Sequence, residues 1–230
     1  MKKIFILFVL MALCSCSDWG DAGKSYHEHF ITDYFTYNNI NVEVRELPVV
    51  PEWGEEYNHK HVVIYADVDD CYHYYETEVS RKAIYEHLAE KYGDVGFNRY
   101  IESPEPHREK YAAESIVAIE LICLEGIDDA HPANSSVTDM FKFESRTLSD
   151  FILSRYDDEQ YYKWVNKELN EVTTDDLYLI GFGGGSYGLF FIAPLDQDNC
   201  PAWGKKLRLT LNYENQYPIS KDFILEEGEY

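Results

Sequence analysis

The sequence predicts a β-rich α+β fold, an antiparallel sheet or a two-sheet (Ig-like) sandwich carrying helical insertions. Three observations lead there. Strand-like runs lie at both ends of the chain, "NVEVREL" and "HVVIYADV" early, "LFFIAPL" and "KLRLTLNY" late. Helical spacing of apolar residues is confined to the middle, so the order is not the strand-helix alternation of a parallel α/β sheet. The composition is that of a packed globule, with 45% hydrophobic residues including 20 Tyr and 12 Phe.

Residues 41–47 put Val42, Val44 and Glu46 on one side and Glu43, Arg45 and Leu47 on the other, a strand with an imperfect apolar face that Pro48 and Pro51 end. Residues 61–68 are β-branched and aromatic, hence a second strand. Between 78 and 92 the period changes: Ile84, Leu88 and Tyr92 are spaced by four, Val79 and Ala83 support the same face, and Gly93 is a stop signal. A proline-marked connection leads to "SIVAIELICL", residues 115–124, whose near-continuous apolar content predicts a central strand buried on both faces. Two shorter helices are predicted, one at 148–154 and one at 158–169, where Tyr161, Trp164, Val165 and Leu169 make a helical stripe. "LYLIGF", "LFFIAPL" and "KLRLTLNY" then read as strands, the last alternating Leu207, Leu209, Leu211 and Tyr213 against Arg208, Thr210 and Asn212, with a short strand at 223–225.

Residues 1–16 have the layout of a secretory signal: Lys2 and Lys3, an apolar stretch from Ile4 to Leu13, and small residues before a cysteine. The stretch is half the roughly twenty residues that a membrane-spanning helix takes. It also resembles a bacterial lipoprotein signal, in which a Leu three residues before and a small residue just before a Cys direct acylation of that sulfur. Leu13, Ser15 and Cys16 match, which implies cleavage before Cys16 and loss of Cys14 with the leader. The expected organisation is therefore a signal peptide at 1–15, an acylated Cys16 and tether at 16–38, and a single β-rich domain at 39–230 with helical insertions near 78–92 and 147–170.

The formal charge of −22 becomes −24 once Lys2 and Lys3 are removed, a sign that repels nucleic acid and anionic headgroups. No nucleic-acid partner is expected. Cys71, Cys123 and Cys200 remain beside Cys16; Cys123 lies in an apolar run and reads as core, leaving Cys71 with Cys200 as the one pair that a disulfide would join.

Of the motifs that suggest chemistry, "GFGGGSYG" (181–188) matches G-x-S-x-G through Gly184, Ser186 and Gly188. A nucleophile elbow needs a helix after the serine and a histidine later in the chain. Residues 189–193 read as a strand and the last histidine is His131, so the segment is expected to be a glycine-rich hairpin loop. His59, His61, Asp69 and His73 offer imidazole and carboxylate donors that suit zinc, without a confirming HExxH or paired CxxC. "DQDNCPAWG" (196–204) starts like an oxygen-ligand loop but lacks the EF-hand glycine and closing glutamate. Aromatic residues in polar segments, Trp53, Tyr57, Tyr72, Tyr74, Tyr75 and Trp203, are the remaining handle, since flat amphipathic rings stack on sugars and anchor partners.

The element order, the lipobox, "DDAHPANSS" (128–136), "TLSDFILSRY" (147–156) and "LRLTLNY" together resemble uncharacterised lipoproteins from gut bacteria of the Bacteroidota. The resemblance implies an outer-membrane lipoprotein, on the surface or periplasmic face, and supplies no catalytic residue. The expected function is a non-enzymatic, membrane-tethered module that binds a glycan or protein partner through Trp53, Tyr72, Tyr74 and Trp203 and calls for no cofactor; the alternative is a metal-assisted envelope hydrolase. Fractionation checks the anchor: Cys16→Ser moves the protein from membranes to the soluble fraction, whereas Cys14→Ser leaves it membrane-bound.

Overall fold

The computed structural model describes residues 24–49, 57–102, 110–157, 162–181 and 188–226. In chain order they form β1 (Lys24–His27), β2 (Asp33–Val49), β3 (Tyr57–His73), α1 (Val79–Lys91), β4 (Arg99–Glu102), β5 (Lys110–Ala112), β6 (Ile116–Cys123) and β7 (Ser135–Ser136). Then come β8 (Phe141–Thr147), α2 (Ser149–Leu153), β9 (Lys163–Glu168), β10 (Ile180–Gly181), β11 (Gly188–Pro194), β12 (Lys206–Tyr213) and β13 (Ile219–Ile224). The fold is a β-sandwich with small helical insertions.

One sheet has the order β10-β8-β11-β3-β2-β5 with β9 on the far edge of β8; the other has the order β13-β12-β6-β7. Pairing is antiparallel throughout except between β2 and β5. The inner faces are built by period-two alternation. On β12, Leu207, Leu209, Leu211 and Tyr213 point inward as the sequence predicts, and they meet Phe35, Tyr37, Ile40, Val62, Ile64, Phe143 and Ile192 of the larger sheet. Tyr213 donates its hydroxyl hydrogen to the Tyr37 hydroxyl at 3.0 Å, a polar link between the two sheets. The outward residues of β12 pair sideways instead: Arg208 with Asp222 at 2.6 Å, Thr210 with Ser220 at 2.9 Å, and Asn212 with Glu120 at 2.9 Å.

The opposite face of the larger sheet carries a third layer. Tyr34 of β2, Tyr111 of β5, and Tyr72 and Tyr74 at the end of β3 project away from the sandwich interior and pack with Tyr85, Leu88, Ala89 and Tyr92 of α1 and Phe151 and Ile152 of α2. Asp94 sits at the centre. Its carboxylate accepts from the backbone N–H groups of Phe30 (2.9 Å) and Ile31 (2.8 Å) and from the Tyr156 hydroxyl (2.7 Å), while burial holds it above its ordinary pKa. It is placed by the end of α1: Gly93 at φ 73° donates to the Glu90 carbonyl and Asp94 N–H reaches the Ala89 carbonyl at 2.8 Å, so the predicted stop is a glycine-closed helix terminus.

Several expectations are corrected. Helix α1 occupies its predicted place, but the face turned inward is Tyr85, Leu88, Ala89 and Tyr92; Val79 is 83% exposed and Ile84 is also exposed. The predicted helix at 158–169 fails in its described part. Residues 163–168 pair with β8 as an edge strand, which sends Val165 into the core and Trp164 to the other side, and a 3-10 turn (Leu169–Glu171) follows. Strand β6 is buried fully only at Ile116, Leu121 and Cys123, because one face of the four-stranded sheet stays open. Within the 16–38 segment, Phe30, Ile31 and Tyr34 of "HFITDYF" are core residues. Of "LYLIGF" (177–182), Leu177 ends a 3-10 turn (Asp175–Leu177) and β10 keeps only Ile180 and Gly181.

The glycine segment does not join a hairpin. Ile180 pairs with Thr147 and Gly181 with Arg146, then Phe191 with Glu144 and Ile192 with Phe143, so β10 and β11 run in the same direction along one edge of β8. Ser186 lies outside the described residues, as do Cys14 and Cys16. Cys71, Cys123 and Cys200 are free; Cys71 is on β3, and it and Cys200 both pack against the main core without a disulfide between them. Urea unfolding discriminates the two readings of α1: Leu88→Ala costs about 2–5 kcal/mol, while Val79→Ala changes stability by less than about 0.5 kcal/mol.

Candidate functional site

The residues nominated for ligand binding separate in the structure. Trp53 lies outside the described residues. Trp203 is half-buried against the main core, its indole N–H donating to the Gln197 carbonyl at 3.1 Å with the Lys60 ammonium 5.0 Å from its ring. Tyr72 lies under the Arg81 guanidinium at 5.2 Å, and Arg81 is in turn held by Asp70 and Glu76. Tyr74 stacks on His27 with ring centroids 5.3 Å apart and receives Lys82 at 4.6 Å. These three side chains brace the fold.

Next to Tyr74 is a group of rings that face solvent. Strands β1 and β4 form a two-stranded ribbon in which Tyr26 is the direct partner of Tyr100 and His27 that of Arg99. Tyr26 and Tyr100 contact edge to face at 5.2 Å and are 44% and 64% exposed. The Tyr26 hydroxyl donates to the Asn98 side chain at 2.9 Å, which sets the ring direction. On the other side of the ribbon Tyr75, 59% exposed, meets Tyr74 edge to face at 4.9 Å, and its hydroxyl lies 3.2 Å from Nε2 of the buried His27. Burial lowers the pKa of His27, which keeps it neutral and able to serve either as donor or acceptor toward that hydroxyl. Tyr75 was among the sequence candidates. Tyr26 and Tyr100 were not, because the first falls in an apparent tether and the second in an apparent connection, and only strand pairing between them reveals the platform.

No family model, curated protein or solved structure matches the chain. The platform stands on its own geometry.

The four nominated metal ligands also separate. His61 and His73 are twelve residues apart on β3, which at about 3.3 Å per residue is roughly 40 Å. His61 is buried beside Glu144, with Nε2 3.4 Å from the carboxylate, and Lys142 pairs with the same group. Burial opposes ionisation of Glu144, but the hydrogen bonds and charges of His61 and Lys142 prevail and bring its pKa down to about 2. The neighbouring His59 is lowered by burial and by Lys142. Asp69 is exposed on β3. His73 keeps different company, Asp33 and Cys71. Burial, then the charge of Asp33, pushes the Cys71 thiol up to about 11.

The other sequence candidates resolve as turns. Asp196 accepts from the N–H groups of Asp198 (3.1 Å) and Asn199 (3.0 Å), closing its own loop. In "DDAHPANSS", Asp128 accepts from Ala130 and His131 N–H, and the His131 ring is held between Asp128 and Asp139, which raise its pKa. A cleft of about 480 Å³ opens beside α2, and two of its three carboxylates are already engaged, Asp150 with Lys163 at 3.0 Å and Asp176 with Lys167 at 2.8 Å. Because the folded-state pKa of Glu144 is depressed, its contribution to stability is complete above the ordinary glutamate value and is lost as pH falls toward about 2. Glu144→Gln is therefore less stable than the native chain at neutral pH, and urea titrations across the acid range show the difference closing between the ordinary glutamate value and that pH.

Proposed function

We propose that the protein is a lipid-anchored module of the bacterial cell envelope, tethered to the outer membrane through acylated Cys16, that binds a glycan on the tyrosines around the β1–β4 ribbon. The observation that carries this reading is the exposure of Tyr26 and Tyr100 on one side of the ribbon and of Tyr75 against its other side, with the Tyr26 and Tyr75 hydroxyls engaged by the fold. Rings held in fixed directions lose little conformational freedom on binding, and their faces fit the apolar faces of sugar rings. A tethered body is in keeping with the absence, among the described residues, of any helix long and apolar enough to cross a membrane.

On this reading the ligand surface is one residue beyond the Tyr74 expected from sequence and away from Trp203. Metal-assisted hydrolysis is the second reading, favoured by the proximity of Asp33, Cys71 and His73. A glycan array followed by calorimetry tests the first. Tyr75→Ala and Tyr100→Ala each weaken the recognised glycan about tenfold, the upper part of the range for losing one aromatic contact, with unchanged thermal melting. Binding of a protein ligand and of no glycan, abolished by the same substitutions, transfers the platform to a protein partner.

A further inference from the structure

At the end of the β2–β3 pairing, sheet geometry puts three chemically different donors on one face. Cys71 and His73 are two residues apart on β3 and therefore point the same way, and Asp33 of β2 is the direct cross-strand partner of His73. The donor atoms of Asp33, Cys71 and His73 all lie within 4.8 Å of one another. Cys71 Sγ is 3.9 Å from His73 Nδ1, the same nitrogen that bonds the Asp33 carboxylate. We propose that Asp33, Cys71 and His73 form a zinc site.

A histidine-aspartate pair needs no sulfur, yet the half-buried Cys71 turns its sulfur to the nitrogen that the carboxylate occupies. One carboxylate, one thiolate and one imidazole is a donor set that zinc accepts, whereas calcium and magnesium select oxygen alone. Zinc-donor distances of about 2.0–2.3 Å separate tetrahedral ligands by about 3.5 Å. Side-chain rotations of an ångström or so reach that spacing, the Asp33–His73 pair opening and the Cys71–His73 pair closing, with no change in strand register. The Asp33 side chain is 9% exposed and that of His73 52%, so the site is anchored inside and open outside. Three protein ligands leave a fourth position for water or a ligand, the arrangement of zinc sites that do chemistry.

The surroundings hold the ligands in place. Arg81 donates to the Cys71 carbonyl at 2.6 Å and makes two bonds to the Asp70 carboxylate, which in turn accepts the Cys71 N–H at 2.8 Å. Tyr74 N–H donates to the Thr32 carbonyl at 2.8 Å, tying the backbone beside His73 to that beside Asp33. Such supports orient ligands and are part of a metal site's affinity. The site is on the opposite face of β3 from Tyr72 and Tyr74 and is independent of glycan binding.

The test uses the full chain, stripped with a chelator and titrated with zinc, with calcium and magnesium as comparators. The expected result is one equivalent of zinc, undisplaced by millimolar calcium or magnesium. Cobalt in place of zinc gives a near-ultraviolet sulfur-to-cobalt charge-transfer band, and Cys71→Ser removes it. His73→Ala, a half-exposed position whose loss leaves melting intact, weakens zinc at least about 100-fold, beyond what removing a supporting residue costs. The double variant His59→Ala with His61→Ala binds as the native chain does. Substoichiometric zinc, a cobalt spectrum of the native chain without the sulfur band, a band that survives Cys71→Ser, or zinc affinity unchanged in His73→Ala overturns the proposal.

Discussion

The register between β2 and β3 is the constraint on which the rest depends. The two strands pair over seventeen residues each, from Asp33 opposite His73 to Val49 opposite Tyr57, and alternate residues serve different layers. Phe35, Val62 and Ile64 belong to the sandwich core, and Tyr34, Tyr72 and Tyr74 to the helical layer. A slip of one residue would exchange the two sets, putting tyrosine hydroxyls into the apolar interior and Phe35 under the helices. Both sets are dominated by large side chains, so the error would be felt on each face at once. The irregularities at Tyr37 adjust this long pairing locally and leave Ile40 buried.

The helical layer turns that register into a surface. Asp94 binds the backbone at Phe30 and Ile31, and Tyr85 donates to the Ile31 carbonyl at 2.6 Å, so the segment between β1 and β2 is fastened to the end of α1. Phe97 N–H bonds the Glu28 carbonyl at 3.0 Å, and the Phe30, Phe97, Phe151 and Tyr156 rings meet edge to face. The β1–β4 ribbon is thereby attached at both of its strands. Its exposed tyrosines inherit their positions from a buried carboxylate and a set of aromatic contacts, a more rigid support than a free loop supplies.

Charge is arranged to match. With 42 acidic against 20 basic residues, unbalanced carboxylates repel one another, and many of the described lysines and arginines pair with nearby carboxylates. Arg81 spans Asp70 and Glu76, Lys82 reaches Glu86 at 2.8 Å, and Arg208 spans the strands to Asp222. Exposed pairs of this kind add little stability one by one. Inside, the His61, Lys142 and Glu144 group is of a different kind, because its partners are desolvated and each compensates another's burial. That explains why His61, which looks like a ligand in the sequence, serves packing and charge balance.

By itself the sequence determined the features that local chemistry specifies. Alternation placed β12 with its inward leucines, Gly93 ended α1, "LFFIAPL" was a strand, Cys123 was core, and a β-rich sandwich followed from where strands and helices fall in the chain. Tertiary structure decided what depends on partners distant in the chain. The segment at 163–168 carries a stripe compatible with a helix, and only the edge of β8 makes it a strand; α1 had two usable faces, and the layer beneath chose the one with Tyr85 and Ala89. The proposed sites belong to the same class, since Tyr26 with Tyr100 and Asp33 with His73 are cross-strand neighbours whose separation in the chain hides them. Periodicity reports which side of an element a residue is on, whereas a site needs the register between elements, which the summed burial of the whole sandwich sets.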